Sequence, residues 1–213
     1  MKIFLTGATG YIGKRLLPVL LKSGFNVVCA VRDRSRFNPP KAYLDQIEIL
    51  EVDFLERSTL NVIPSDIDAA YYLIHSMSAS ENYDELELIS AKNLRNALKK
   101  TRVQHVIYLS GIVNDKTLSK HLNSRKAVEA ELSKGSYNFT TLRAGIIIGS
   151  GSASFEIIRD LVEKLPVMVA PRWLNTRCQP IGIGDVIRFL DKTLFNQTTY
   201  NKSFDIGGPD VFT

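Results

Sequence analysis

An α/β domain built on a doubly wound parallel sheet is what the sequence predicts, on three observations. Strand-like and helix-like segments alternate along most of the chain. The first strand, Lys2-Ile3-Phe4-Leu5, runs straight into the glycine-rich turn Thr6-Gly7-Ala8-Thr9-Gly10-Tyr11-Ile12-Gly13, and an apolar helix pattern begins inside that turn. With 213 residues and 45% hydrophobic content, the chain is large enough for one sizeable core.

Each element follows from local signals. The first helix is expected over about residues 11–23, with Gly24 as its stop and Pro18 as a bend or loosened turn. Apolar, β-branched runs predict strands at 26–31, 47–52, 69–74, 106–109 and 139–142. The Asn38-Pro39-Pro40 loop separates the second strand from the third. A helix is expected over 83–101, where Leu86, Ile89, Leu94, Ala97 and Leu98 recur at helical spacing, and another over 121–134, closed by Gly135. Beyond Gly149 the pattern is less regular. It reads as a helix at 152–165, a short strand at 167–169, a helix at 185–194 and a last strand at 203–206. The chain is thus expected to be a single domain, 1–213, with a small irregular C-terminal segment on the substrate side. Its abrupt end after Gly207-Gly208-Pro209 predicts truncation before a further C-terminal domain.

A strand, a glycine-rich turn and a helix in that order form a cradle for the pyrophosphate of a dinucleotide. Gly7 permits the tight turn out of the strand, Gly10 lets the backbone approach the phosphates, and Gly13 lets the helix pack closely. Thr9, Tyr11 and Ile12 complete the cradle, where the helix N-terminus offers N–H groups and a positive dipole end.

The net charge of +5 is mild, and its Lys and Arg residues are scattered, so no nucleic-acid partner is expected. That charge suits a protein holding an anionic cofactor. Cys29 and Cys178 are isolated, read as unpaired thiols, and lack metal-ligand spacing, so no metal is expected. No signal peptide precedes the first strand and no apolar run is long enough to span a bilayer, which predicts a cytoplasmic protein. Oligomeric state is left open.

The chain resembles the extended or atypical short-chain dehydrogenase/reductases over almost its whole length. The glycine motif has their Gly-x-x-Gly-x-x-Gly form. Val52-Asp53-Phe54 resembles the segment after the third strand, where Asp53 would face an adenine with Phe54 beside it. Tyr108-Leu109-Ser110-Gly111 resembles the fifth-strand end that carries the catalytic serine, here Ser110. Leu142-Arg143-Ala144-Gly145, Asp185-Val186 and Asp205-Ile206-Gly207-Gly208-Pro209 resemble later family segments. Tyr72-Leu73-Ile74-His75-Ser76-Met77, the stretch from Gly149 to Glu156, and Pro171-Arg172-Trp173 through Pro180 are similar to a bacterial subgroup of NmrA-like and nucleoside-diphosphate-sugar epimerase-like proteins. The resemblance implies a Rossmann fold and an NAD(P)-binding protein.

The resemblance breaks at one place. A typical member carries Tyr-x-x-x-Lys on the helix after the fifth strand, so that the Lys lowers the Tyr pKa and the phenol exchanges a proton. Here His121-Leu122-Asn123-Ser124-Arg125 puts His121 at the Tyr position and Arg125 at the Lys position. His121 is open among three roles: acid/base, contact with cofactor or substrate, and plain surface helix residue. Ser110 is open between a catalytic hydroxyl and a turn residue. His75, just past the fourth strand, is open between the ligand edge of the sheet and a solvated loop.

Cofactor choice rests on the end of the second strand. An NAD-selective fold places an acidic residue there; this chain has Arg32, followed by Asp33-Arg34-Ser35-Arg36. A guanidinium pairs with a 2′-phosphate, so NADP(H) is favoured, while Asp33 keeps NAD(H) open. Two functions are carried forward. One is an NADP(H)-dependent oxidoreductase or epimerase-like enzyme on a small organic or nucleotide-sugar substrate. The other is a non-catalytic, NmrA-like cofactor-sensing or cofactor-binding protein.

Overall fold

The structure is a computed structural model and describes residues 1–75, 82–112, 120–164 and 177–212. Strands β1 (Lys2–Thr6), β2 (Asn26–Val31), β3 (Ile47–Glu51), β4 (Ala69–Tyr72), β5 (His105–Gly111) and β6 (Asn138–Ala144) are joined by α1 (Gly13–Lys22), α2 (Tyr83–Leu98) and α3 (Lys120–Leu132). Then come the two-residue β7 (Ile147–Ile148), α4 (Ala153–Lys164), β8 (Ile181–Gly182), α5 (Ile183–Thr193) and β9 (Lys202–Ile206). The main sheet has seven strands in the order β3-β2-β1-β4-β5-β6-β9, and every pair is parallel. The direction of winding reverses between β1 and β4, which opens a crevice at their carboxyl ends. The sequence reading found these seven strands. It missed β7 and β8, which pair with each other over only two residues. The strand expected at 167–169 lies outside the described residues.

Strand periodicity divides the core in two. Ile3, Leu5, Val27, Cys29, Val31, Tyr71, Ile107 and Leu109 point to the face covered by α1 and α5. Phe4, Val28, Ala30, Tyr72, Val106 and Tyr108 point to the face covered by α2 and α3. Cover on both faces explains why the strands read as continuous apolar runs. Cys29 is wholly buried, and burial pushes its thiol up to about 12; Cys178 is also unpaired. The Tyr71 hydroxyl donates to the Leu190 carbonyl at 3.0 Å, fixing α5 on the sheet.

Helix ends follow their sequence signals. Gly24, at φ +81°, closes α1: the Gly24 N–H donates to the Leu21 carbonyl, and the Phe25 N–H to the Leu20 carbonyl. The helix runs unbroken past Pro18. The buried face of α2 differs from the expected one. Glu87, Ser90, Ala91, Leu94 and Leu98 face inward, while Leu88 and Ile89 are partly exposed. Leu94 and Leu98 are buried and Ala97 packs on the core as expected; the difference lies in the first turns, where Glu87 and Ser90 face inward and Ile89 outward.

His105, fully buried at the start of β5, locks the opposite end of the sheet. The Phe195 N–H donates to Nδ1 at 3.2 Å, so Nε2 carries the proton and donates to Thr140 Oγ1 at 2.9 Å. Thr140 passes its own hydrogen to the Thr199 carbonyl at 2.8 Å. Burial pushes the imidazole down to about 4, against an ordinary 6.5. Between those values the unfolded chain binds a proton that the folded chain does not. The contribution of His105 is therefore fully present above pH 6.5 and is lost as pH falls toward 4, by up to about 3 kcal/mol. Urea unfolding at pH 7.5 and 4.5 checks this: the His105→Gln variant should lose markedly less stability between the two than the parent does. Equal losses would contradict the assignment.

Candidate cofactor and active site

The glycine turn sits at the β1–β4 reversal and is held there by Thr6. Its buried hydroxyl donates to the Tyr71 carbonyl and accepts from the Leu73 N–H, both at 3.0 Å. Gly7 follows in the left-handed region, at φ +69°, and a Cβ there would stand 2.8 Å from the Leu73 carbonyl oxygen. A Cβ on Gly13 would stand 2.2 Å from the Gly7 carbonyl oxygen. Gly13 is thus needed for the turn to close on itself, more than for packing on the sheet. At Gly10 the nearest atom to an added Cβ is the Gly7 carbonyl oxygen, at 3.1 Å, and Gly10 and Thr9 are exposed. No acidic residue lies in the first turn of α1, and no side chain caps it among the described residues. The Lys14 and Arg15 N–H groups are taken by the Gly10 and Ile12 carbonyls, both at 3.0 Å, so an anion would meet the helix dipole and the N–H groups that precede Lys14.

Tyr11 turns away from solvent. Its ring lies under the loop after β7, where Gly149 and Gly151 leave room for it. The Arg15 guanidinium stacks 3.8 Å above that ring. Ile12 precedes α1 and packs against the α1-side core.

At the end of β2, Arg32 is exposed, as are Arg34 and Arg36. The Asp33 Oδ1 accepts from the Ser35 N–H at 2.9 Å and from the Ser35 hydroxyl at 2.6 Å, capping the short turn Arg34–Arg36. The Ser35 hydroxyl holds the Asp33 carboxyl below the usual carboxylate range. Past β3, Asp53 accepts from the Leu55 N–H at 2.9 Å. Phe54 is a core residue, edge-on to Phe4 with ring centroids 6.5 Å apart. Its side chain is thus placed away from the cofactor edge, leaving only its backbone near that surface.

Arg125 and His75 meet at the carboxyl edge beyond β4 and β5, next to the end of β5 that carries Ser110. Ser110 is 4% exposed, and its hydroxyl has no hydrogen-bond partner among the described residues. Arg125 lies along Gly111, whose added Cβ would meet its Cδ at 3.6 Å. Arg125 Nη1 stands 3.0 Å from His75 Nδ1. The His75 ring in turn approaches Tyr108, with centroids 6.5 Å apart. His121 falls in the first turn of α3; its side chain lies outside the described set.

Sequence reasoning missed the carboxylate beneath this group. Glu87 of α2, 5% exposed, accepts from the buried Ser124 hydroxyl of α3 at 2.5 Å, one residue before Arg125. An acid on the inward face of a helix was the available signal, and the apolar stripe expected through Leu86 and Ile89 hid it. Glu129 of α3 also anchors the helix, pairing with Arg143 of β6 at 2.7 Å and 3.1 Å. Tyr108 lies between Tyr72 and His75, and burial, opposed by the nearby Arg125, pushes its phenol up to about 12.

A seven-stranded parallel sheet with a glycine turn at its reversal point defines a dinucleotide-binding Rossmann protein. Residues 7–164 match a family model described as NAD(P)H-binding, and the chain belongs to that family. Among curated relatives, divinyl chlorophyllide a 8-vinyl-reductase of Arabidopsis thaliana is 26% identical, over 98% of this chain and 54% of its own length. The NADH-ubiquinone oxidoreductase 40 kDa subunit of Neurospora crassa is 22% identical, over 97% of this chain and 56% of its own. The chain spans about half the length of these relatives. The UDP-glucuronic acid 4-epimerase of Bacillus cereus, solved with UDP-glucuronic acid and NAD, superposes with a TM-score of 0.76 at 20% identity, over 100% of this chain and 79% of that one. The family match makes the chain an NAD(P)-binding protein, and the structural likeness shows the shared fold. Among the described residues, no helix is long and apolar enough to cross a membrane.

The turn can be tested by two substitutions. Gly10→Ala should weaken NADPH binding more than tenfold with near-native circular dichroism, because its methyl group meets one backbone contact, at 3.1 Å, that need give only slightly, and projects where phosphates would lie. Gly13→Ala should destabilise the fold itself. Calorimetric titration and thermal unfolding of both variants check this, and unimpaired NADPH binding by Gly10→Ala would place the phosphates elsewhere.

Proposed function

We propose that the protein is an oxidoreductase or epimerase-like enzyme of the atypical short-chain class, using NADP(H) in preference to NAD(H) on a small organic or nucleotide-sugar substrate. The observation that carries this reading is the Arg125–His75 pair at the carboxyl edge, beside the end of β5 where the Ser110 hydroxyl is buried near the Tyr108 phenol. The glycine turn would hold the pyrophosphate, Asp53 the adenine, and Arg32 the 2′-phosphate. When bound, the cofactor supplies or accepts a hydride. The Ser110 hydroxyl would hydrogen-bond the reacting oxygen, and its burial strengthens that bond. Arg125, at the place of the usual lysine, would hold the ribose and offset negative charge at the reacting oxygen. His121 is proposed as the proton donor, at the place of the usual tyrosine. A cytoplasmic location is part of the same proposal, resting on the two unpaired thiols.

The preference for NADP(H) rests on Arg32. It is exposed beside two further arginines, while the acidic neighbour Asp33 spends one oxygen on Ser35. NADPH should bind about 10- to 100-fold tighter than NADH, the scale of one or two charge-assisted hydrogen bonds. Arg32→Asp should reverse the order. Equal affinities of the parent protein for both cofactors would refute the role of Arg32.

The missing tyrosine at position 121 favours a second reading, in which the cleft binds the cofactor without turnover. NADPH oxidation over a panel of aldehydes, ketones and quinones separates the two. On the first reading, Ser110→Ala lowers kcat by about 10²-fold or more with NADPH affinity unchanged. Tight NADPH binding with no turnover of any panel member supports the second. Turnover that survives Ser110→Ala would overturn the role given to Ser110.

A further inference from the structure

Arg15 joins two segments far apart in sequence. Its Nη1 donates to the Tyr11 carbonyl at 3.1 Å, and its Nη2 donates to the Ser150 carbonyl at 2.8 Å. The same guanidinium covers the Tyr11 ring at 3.8 Å. Tyr11 belongs by its backbone to the glycine turn, and its ring lies under the loop at 149–151. There, a Cβ on Gly149 would stand 2.5 Å from the Tyr11 hydroxyl, and one on Gly151 would stand 3.7 Å from Tyr11 Cε2. One planar fork therefore pins the loop onto the turn. Lysine, with a point charge and no plane, could not stack and bridge in this way.

The loop carries the start of α4. The Ser152 hydroxyl donates to the Ile147 carbonyl at 2.7 Å, and the Ser152 N–H to the Gly149 carbonyl at 2.9 Å. The Gly151 N–H donates to Glu156 Oε1 at 3.0 Å, and Glu156 pairs with Arg159. Whatever fixes residues 149–152 thereby fixes the first turn of α4. The clamp has an opposing cost: the Tyr11 hydroxyl is buried and has no hydrogen-bond partner among the described residues. Closure is thus balanced between the bonds made by Arg15 and an unmet phenol.

We infer that Arg15 and Tyr11 couple the two sides of the cleft: a dinucleotide seated on the glycine turn holds the 149–152 loop and the start of α4 in place. The inference rests on the reading that the pyrophosphate sits at that turn. Fixing the Tyr11 backbone fixes the platform on which the loop closes. Coupling of this kind is reciprocal, so a ligand that holds the loop tightens cofactor binding by the same factor.

Hydrogen exchange with NADPH as the probe tests this without a known substrate. In the parent protein, NADPH should slow exchange at residues 149–160 at least fivefold, along with residues 7–13. Arg15→Ala at saturating NADPH should keep the slowing at 7–13 and lose it at 149–160. Tyr11→Phe, freed of the unmet hydroxyl, should show slower exchange at 149–160 before NADPH is added. The coupling is overturned if Arg15→Ala retains the slowing at 149–160, or if the parent shows slowing at 7–13 alone. If calorimetry shows NADPH bound and neither segment responds, the pyrophosphate sits elsewhere and the inference falls with the reading beneath it.

Discussion

The carboxyl edge of this protein depends on a contact that leaves no room for a side chain. Where the chain leaves β1, Gly13 closes against the Gly7 carbonyl so tightly that a single added carbon would overlap it. Gly7, in a left-handed conformation, approaches the Leu73 carbonyl closely too, where an added carbon would stand 2.8 Å from its oxygen. Thr6 completes the junction by bonding both Tyr71 and Leu73 of the neighbouring strand. This junction turns α1 so that its uncapped first turn opens over the reversal point of the sheet. The Tyr11 platform follows from that geometry, while Ser110, two strands away, is placed by the pairing of β5 with β4 and β6.

The candidate catalytic edge is assembled by a second set of constraints, and these are polar. Glu87 reaches from α2 to Ser124 of α3, and Glu129 reaches from α3 to Arg143 of β6. Buried charges on a helix face cost free energy unless they are paired, so both contacts fix the rotation of α3 about its axis. Arg125, between them in sequence, is consequently laid along Gly111 and against His75. No tyrosine lies on α3, and the cation that the helix brings to this edge is Arg125.

The fold was legible because its signals are local and redundant. Cover on both faces made the central strands β1, β2, β4 and β5 largely apolar runs, and Gly24 marked the end of α1. The cradle was legible for the same reason, since three glycines at fixed spacing after a strand have few other uses. What escaped was set by tertiary contact. The inward face of α2 carries Glu87 and Ser90 at positions where an apolar stripe was expected, because their partners lie on another helix. Phe54, adjacent to Asp53, sits in the turn that the Glu56 N–H closes on the Asp53 carbonyl, and its ring packs edge-on to Phe4 in the core. The Arg15 clamp joins residues 135 positions apart, so no window along the sequence contains it. The pairing of β7 with β8 likewise spans two residues on each side, too short for any periodic signal.

The central claim is that the glycine turn at the β1–β4 reversal is where the dinucleotide is held, with Ser110 facing its reactive end. The most direct measurement is a crystal structure of the protein grown with NADPH. The account predicts pyrophosphate density over residues 7–13, the 2′-phosphate at Arg32 and the nicotinamide ring toward Ser110 and Arg125. A pyrophosphate bound away from the turn, or a nicotinamide directed away from β5, would contradict it.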